Sequence, residues 1–289
     1  MRMLDFFFAL RPLVLVPAWS FFLLGAAAAG ALQPFPATRL IALTLVLTGG
    51  YLVNQVVDFE TDRLNGKGLF LQRGLFSRRT YLVAATVCIA GGVVVALAAR
   101  EAPFRIATAA ALVLAYSMPP LRLSSRAGLD LIANAAGYGV LAPWTGAGGS
   151  VLPIGFGFAG ALAVGAVFVH TTLLDLPGDR TTGKRTLGVV LPAGVARGVA
   201  VALAVPTPLL LHAAGWPVAG AAGTTAILCL AAAVAPAHCA SRTVCVAATA
   251  AFALAAAVAW PPFGPALACL VVGTRLYYRR RFGLTYPAA

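Results

Sequence analysis

Residues 54–67 read NQVVDFETDRLNGK and close an apolar run that begins near Thr38. Asn54, Asp58 and Asp62 stand four residues apart. On a helix of 3.6 residues per turn, such a series drifts only about 40° per step, so three oxygen-bearing side chains share one face. Ionisable groups at the end of a membrane-length segment are costly and mark function by default. A second acidic pair, Asp175 and Asp179, repeats the spacing far downstream. Five such side chains from two segments suit a hard divalent cation, with Mg²⁺ usually completed by substrate phosphate. Solvated charge at helix ends would explain one cluster easily, but two of the same spacing much less so.

The surrounding chain has the composition of an integral membrane protein. Of its 289 residues 61% are hydrophobic and only 10% charged, and the mean hydropathy is +0.91. A soluble domain carries roughly 25% charged residues. Apolar runs near 12–32, 38–57, 80–99, 103–119, 129–148, 154–174, 193–213, 217–237, 243–260 and 262–278 predict ten helical spans. They read as one polytopic all-α domain over residues 1–289. The opening MRMLDFFFALRP leads straight into the first run without an A-x-A-like cleavage site, so it reads as a span rather than a signal peptide.

A net charge of +13 could suit nucleic acid, but its distribution argues otherwise. With the N-terminus inside, 18 of the 21 basic residues sort to the inner segments, and only Arg39, Arg100 and Arg105 fall outside. That is the positive-inside bias of a membrane protein. It predicts a cytoplasmic N-terminus, both acidic clusters on the cytoplasmic face of a bacterial inner (plasma) membrane, lipid as surroundings, and no nucleic-acid partner. The run from Arg279 to Arg281 is expected to anchor the last helix at the headgroups. Cys88, Cys229, Cys239, Cys245 and Cys269 lack metal-finger spacing and read as small buried residues. His170, His212 and His238 are isolated and read as packing or interface residues.

Three polar blocks remain. Residues 58–79 form a basic stretch that includes Lys67, as expected where metal and anionic phosphate are held together. The fourth span ends AYSMPPLRLSSR; Pro119 and Pro120 stop the helix near Ser117 and leave Arg122 and Arg126 just outside it. The sixth span ends HTTLLDLPGDRTTGKRTLG, which predicts a break at Asp175 with Asp179 on a turn, followed by Lys184 and Arg185. Asp130, four residues before Asn134, reads as an acid at a helix start. Gly155, Gly157 and Gly160 match G-x-G-x-x-G formally, but no strand precedes them, so a dinucleotide site is not expected.

Together the N-x-x-x-D-x-x-x-D stretch, YSMPPLRL and DLPGDRTTGKRTLG resemble the UbiA-type membrane prenyltransferases, in order and spacing, over roughly residues 10–200. The resemblance implies a helical bundle, nine spans in the usual description and nine or ten here, enclosing a lipid-accessible cavity. It implies two aspartate-rich motifs that hold Mg²⁺ and grip a polyprenyl diphosphate. Carried over, Asn54, Asp58 and Asp62 form the first motif and Asp175 and Asp179 the second. Tyr116, Arg122, Lys184 and Arg185 fall in segments that face the diphosphate, and Lys67 of the basic loop joins them. Two departures stand out: Gln55 replaces the family's common Asp, and GKGLFLQRG replaces a K-P-x-R-P-like segment.

The implied reaction is ionisation of the allylic diphosphate and capture of the cation by an unidentified acceptor, such as an electron-rich aromatic ring. A membrane terpene cyclase, in which an alkene of the same chain captures the cation, is the alternative that Gln55 and the altered loop raise. A secondary transporter would also explain many spans and intramembrane acids, but it predicts broken helices at the midplane and an internal repeat.

Overall fold

The computed structural model describes residues 2–212, 215–235 and 238–286. Among them the chain is helical throughout, with no strand beyond one isolated bridge between Arg126 and Arg185. Among the described residues each of the ten expected runs lies mainly on helix. Seven are long and apolar enough to cross a membrane: Met3–Ala28, Ala37–Val57, Arg78–Ala99, Gly155–Leu174, Ala193–Leu210, Pro217–Val234 and Ala240–Ala259.

The other three fall short for different reasons. Pro103–Ser117 has 15 residues, about 22 Å of helix against a hydrocarbon core of about 30 Å. The stretch from Leu129 to Ala147 is helical but wound as a π-helix over Ala135–Leu141. Phe263–Phe282 carries Arg275 and the three arginines of its last turns.

Large apolar side chains lie exposed along the outside, among them Val87, Val94, Phe104, Ile227 and Leu254. Apolar exposure on that scale fits a surface solvated by lipid. Inside, small residues bring helices together at backbone distance. A Cβ on Gly92 would lie 2.6 Å from the Ala42 carbonyl oxygen, and one on Gly49 2.7 Å from that of Ala85, so Ala37–Val57 and Arg78–Ala99 touch along their backbones. Gly160 meets Gly139 in the same way, with a Cβ on Gly160 2.5 Å from the Gly139 carbonyl oxygen. The third glycine of the formal G-x-G-x-x-G match is therefore a packing contact within the helix Ile154–Leu174.

Four smaller expectations need adjusting. The acidic series is not on one unbroken helix: Ala37–Val57 ends at Val57, Asp58 caps it, and Phe59–Leu64 follows. The spacing survives because the Asp58 N–H bonds Asn54 O and the Asp62 N–H bonds Asp58 O, each at 2.8 Å. Asp179 lies within a short helix, Leu176–Thr181, rather than on a turn, because Pro177 is tolerated in a first helical turn. Arg281 turns inward to the buried Asp5, at 3.1 Å, instead of only reaching outward to headgroups. Among the cysteines Cys229 is buried, but Cys269 is exposed on the outer surface of the last helix; the side chains of His238 and Cys239 lie outside the described residues. His170 is buried with Nδ1 3.1 Å from Ser241 Oγ, while His212 is exposed.

Candidate active site

A cavity of about 360 Å³ opens among the helix ends. Its depth is apolar, with Phe21, Leu43, Leu112, Leu141 and Phe252 in the walls, and its mouth is polar. Asn54, Asp58, Asp62, Asp175 and Asp179 all line that mouth, with Lys67, Tyr116 and Lys184. Two acidic segments separated by more than a hundred residues thus meet at one opening.

Side chains from the two segments stitch them together. Asn65 donates its amide to Asp175 O at 3.1 Å and accepts from the Gly178 N–H at 2.9 Å. The Thr61 and Thr182 hydroxyls are 2.9 Å apart. Lys67 Nζ bonds Asp175 Oδ1, and Lys184 Nζ lies 2.7 Å from Asp58 Oδ2. Arg122 Nη2 reaches Asp58 Oδ1 at 3.3 Å, and Asn54 donates to Asp58 Oδ2 at 2.8 Å. Arg122 thereby acts at the mouth through Asp58 without itself lining the cavity.

Arg185 stands apart. The segment around it is extended at the bridge to Arg126, and successive side chains of an extended chain point to opposite sides. Lys184 and Thr186 are accordingly buried and Arg185 is exposed, outside the cavity lining. Adjacency in sequence puts these two cations on opposite sides of the backbone.

Burial raises two of the carboxyls at the mouth, Asp62 and Asp179. Asp179 is pushed up to about 6 by burial, against the pull of Lys184 and of its hydrogen bond from Thr186. Burial also raises Asp62, against Arg11 and Lys67. Asp62 Oδ2 is buried with no hydrogen-bond partner among the described residues, and the hydroxyls of Ser117 and Ser124, also at the cavity wall, share that condition. Among the described residues no three His, Cys, Asp or Glu side chains close around a common point; the carboxylates ring the mouth instead. The donor set is nevertheless that of a hard cation, five oxygen-bearing side chains with one buried carboxylate oxygen unpartnered among the described residues. It fits an open Mg²⁺ site whose remaining ligands come from phosphate and water.

Three features escaped the motifs. Arg11, in left-handed backbone at φ 56°, lines the mouth beside Asp62; in sequence it was one topological charge among many. Asn65 had no signal beyond its place in a polar loop. Asp130 is fully buried, and its carboxylate accepts the N–H of Leu187 at 3.0 Å. It thus holds the segment that carries Lys184 and Thr186, and its i, i+4 relation to Asn134 was only a partial hint. Gln55, by contrast, is 2% exposed, donates to Tyr51 O at 3.3 Å and does not line the cavity.

The chain is similar to known proteins over most of its length. The UbiA prenyltransferase family profile matches residues 14–244. A protein of Halobacterium salinarum named digeranylgeranylglyceryl phosphate synthase is 32% identical over 223 residues, covering 71% of this chain and 78% of that protein. The structure of a UbiA homolog from Archaeoglobus fulgidus bound to GPP and Mg²⁺ superposes with a TM-score of 0.65 at 20% identity, covering 88% of this chain and 99% of that one. The apo structure of a UbiA homolog from Aeropyrum pernix gives 0.62 at 17% identity, covering 84% and 95%.

Proposed function

The chain belongs to the UbiA prenyltransferase family, and from that membership we propose that it is a membrane prenyltransferase that ionises an allylic polyprenyl diphosphate and hands the prenyl group to an acceptor. One observation carries the site: both acidic clusters and at least four cations converge on the mouth of a single apolar cavity. Asn54, Asp58, Asp62, Asp175 and Asp179 would hold Mg²⁺, in keeping with the Mg²⁺-bound relative. The bound ions would supply Lewis-acid stabilisation of the departing diphosphate.

The chain's own residues do the rest. Lys67, Lys184 and Arg122, each paired with a carboxylate, and Arg11 are cations within reach of a diphosphate at the mouth. In the transition state they offset charge that develops on the leaving oxygens. The Tyr116 hydroxyl and the Ser117 and Ser124 hydroxyls offer further donors at the same level. The allylic carbon–oxygen bond breaks with its electron pair leaving on the diphosphate. The apolar walls keep water from the resulting cation, and the acceptor's nucleophilic atom bonds to the allylic carbon and loses its proton.

The name of the Halobacterium relative favours an alcohol on a glyceryl phosphate lipid as acceptor over the aromatic ring expected from sequence. Cyclisation loses its main support, since Gln55 lies off the cavity wall. Family membership sets a transporter aside. We read the chain as a single prenyltransferase domain of nine or ten spans whose cavity admits the isoprenoid sideways from lipid. The N-terminus and the cavity mouth are on the cytoplasmic side of a plasma membrane. A bacterial host belongs to this proposal and not to the comparisons, whose named relatives are archaeal. The test is to incubate purified protein with Mg²⁺ and diphosphates of several lengths, with a glyceryl phosphate lipid, an aromatic acceptor or none. Acceptor-dependent prenyl product supports the reading; a cyclic hydrocarbon formed without acceptor overturns it.

A further inference from the structure

The three basic residues that escape the inner segments, Arg39, Arg100 and Arg105, are scattered over 67 positions of sequence, yet they line one groove of about 540 Å³. Arg39 lies at the start of Ala37–Val57, whose far end carries Asp58, so the groove is about 28 Å along that helix from the acidic mouth. It sits at the other end of the bundle, where Arg78–Ala99 ends, Pro103–Ser117 begins and the helix Ala142–Ala147 closes.

Its charge is unbalanced. Arg39 pairs with Glu101 at 3.2 Å, and among the described residues no other acid lines the groove, so two positive charges are in excess. Arg105 Nη1 donates to the carbonyls of Trp144, at 2.6 Å, and of Gly148, and its guanidinium lies 4.5 Å from the centre of the Trp144 ring. These contacts occupy one nitrogen of the fork. Among the described residues Arg39 Nε is buried without a partner, and the Arg100 side chain has none. Forked guanidinium donors left over in this way match phosphate oxygens.

The groove also has an apolar flank. Phe104 is 72% exposed beside it, and Trp144, the kind of residue that settles at membrane interfaces, forms its wall. An anion that brings apolar chains with it suits such a site better than a free ion does. We propose that Arg39, Arg100 and Arg105 bind the phosphate headgroup of an anionic lipid in the leaflet opposite the active-site mouth, with an acyl or isoprenoid chain along Phe104. The site is independent of the transfer reaction.

The full-length protein, purified in detergent and mixed with equal amounts of dioleoyl phosphatidylglycerol and dioleoyl phosphatidylcholine, can be read by native mass spectrometry. The phosphatidylglycerol adduct should persist preferentially. Arg100→Gln, which removes a side chain without internal partners, should weaken it about fivefold, equivalent to about 1 kcal/mol for one interfacial cation. Arg100→Lys should restore most of the loss, and Arg280→Gln at the other end should leave the Arg100-dependent adduct unchanged. Three results would overturn the proposal: equal retention of both lipids, no effect of Arg100→Gln, or displacement by sodium phosphate at the lipid's own concentration, which would mark a site for free anions.

Discussion

The backbone N–H of Gly178 donates to Asn65 Oδ1 at 2.9 Å, and a Cβ on Gly178 would lie 2.6 Å from Asn65 Nδ2. This contact joins the helix of the second acidic cluster to the loop that follows the first, and only a residue without a side chain permits it. Gly178→Ala must push Asn65 away, at the usual cost of about 1–3 kcal/mol for overpacking. Because the strain falls between the two clusters, turnover should drop at least about tenfold, which corresponds to only about 1.4 kcal/mol. A Gly178→Ala protein with wild-type rate and unchanged melting temperature would show that the clusters do not depend on this contact.

The acids can be separated from solvated helix ends by near-isosteric change. Asp58 faces the buried Lys184, and truncating one partner of a buried pair typically costs about 3–5 kcal/mol, so Asp58→Ala would confuse folding with chemistry. Asp58→Asn, Asp62→Asn, Asp175→Asn and Asp179→Asn keep shape and lose charge. Each is expected to remove most turnover and to raise the Mg²⁺ needed for half-maximal rate, while the protein still elutes as a single folded species. Surface charges would change stability by no more than about 0.5 kcal/mol and leave the rate alone. Wild-type activity in Asp58→Asn combined with Asp175→Asn is incompatible with the proposed site.

Asp130 can be tested as a holder of the Lys184 segment. It is fully buried and accepts the N–H groups of Leu131, at 2.8 Å, and Leu187. Asp130→Ala leaves two half-buried donors unpaired, and a loss of up to about 1–3 kcal/mol for each group is usual. Diphosphate affinity should fall along with melting temperature. Asp130→Asn, which keeps one acceptor oxygen, should lie between wild type and Asp130→Ala on both measures; equal melting temperatures for all three would refute the role.

Gln55→Asp is expected to leave both Mg²⁺ requirement and product distribution unchanged, because position 55 is off the cavity wall. It should instead lower stability, since it buries a carboxylate where an amide was 2% exposed. A lowered Mg²⁺ requirement would return this residue to the site.

Cysteine placed at Arg73 and at Arg100 in a background free of native cysteines should label from opposite faces of intact cells, Arg73 from within. Labelling of both from one face would contradict the inverted ends of Ala37–Val57 and Arg78–Ala99.

The sequence by itself determined that this is a helical membrane protein and where most of its helices run, and it singled out the acids proposed to hold the metal. Apolar run lengths, the sorting of 18 of 21 basic residues and two acidic pairs of equal spacing are all local patterns, set by the thickness of a bilayer and the pitch of a helix. It could not determine what depends on contact between distant segments. That Lys184 faces Asp58 while Arg185 turns away follows from an extended backbone fixed by the bridge to Arg126 and by Asp130 on another helix. Gln55 carried weight as a departure from a family pattern, yet the rotation of its helix points it into protein rather than into the cavity. Arg11 looked like a topological charge until tertiary packing set it beside Asp62. Arg39, Arg100 and Arg105 looked like leftovers until three helix ends met around them. Periodicity is written along the chain, whereas which side chains share a cavity is decided only when helices pack, because burial and unsatisfied charge are properties of the assembled bundle.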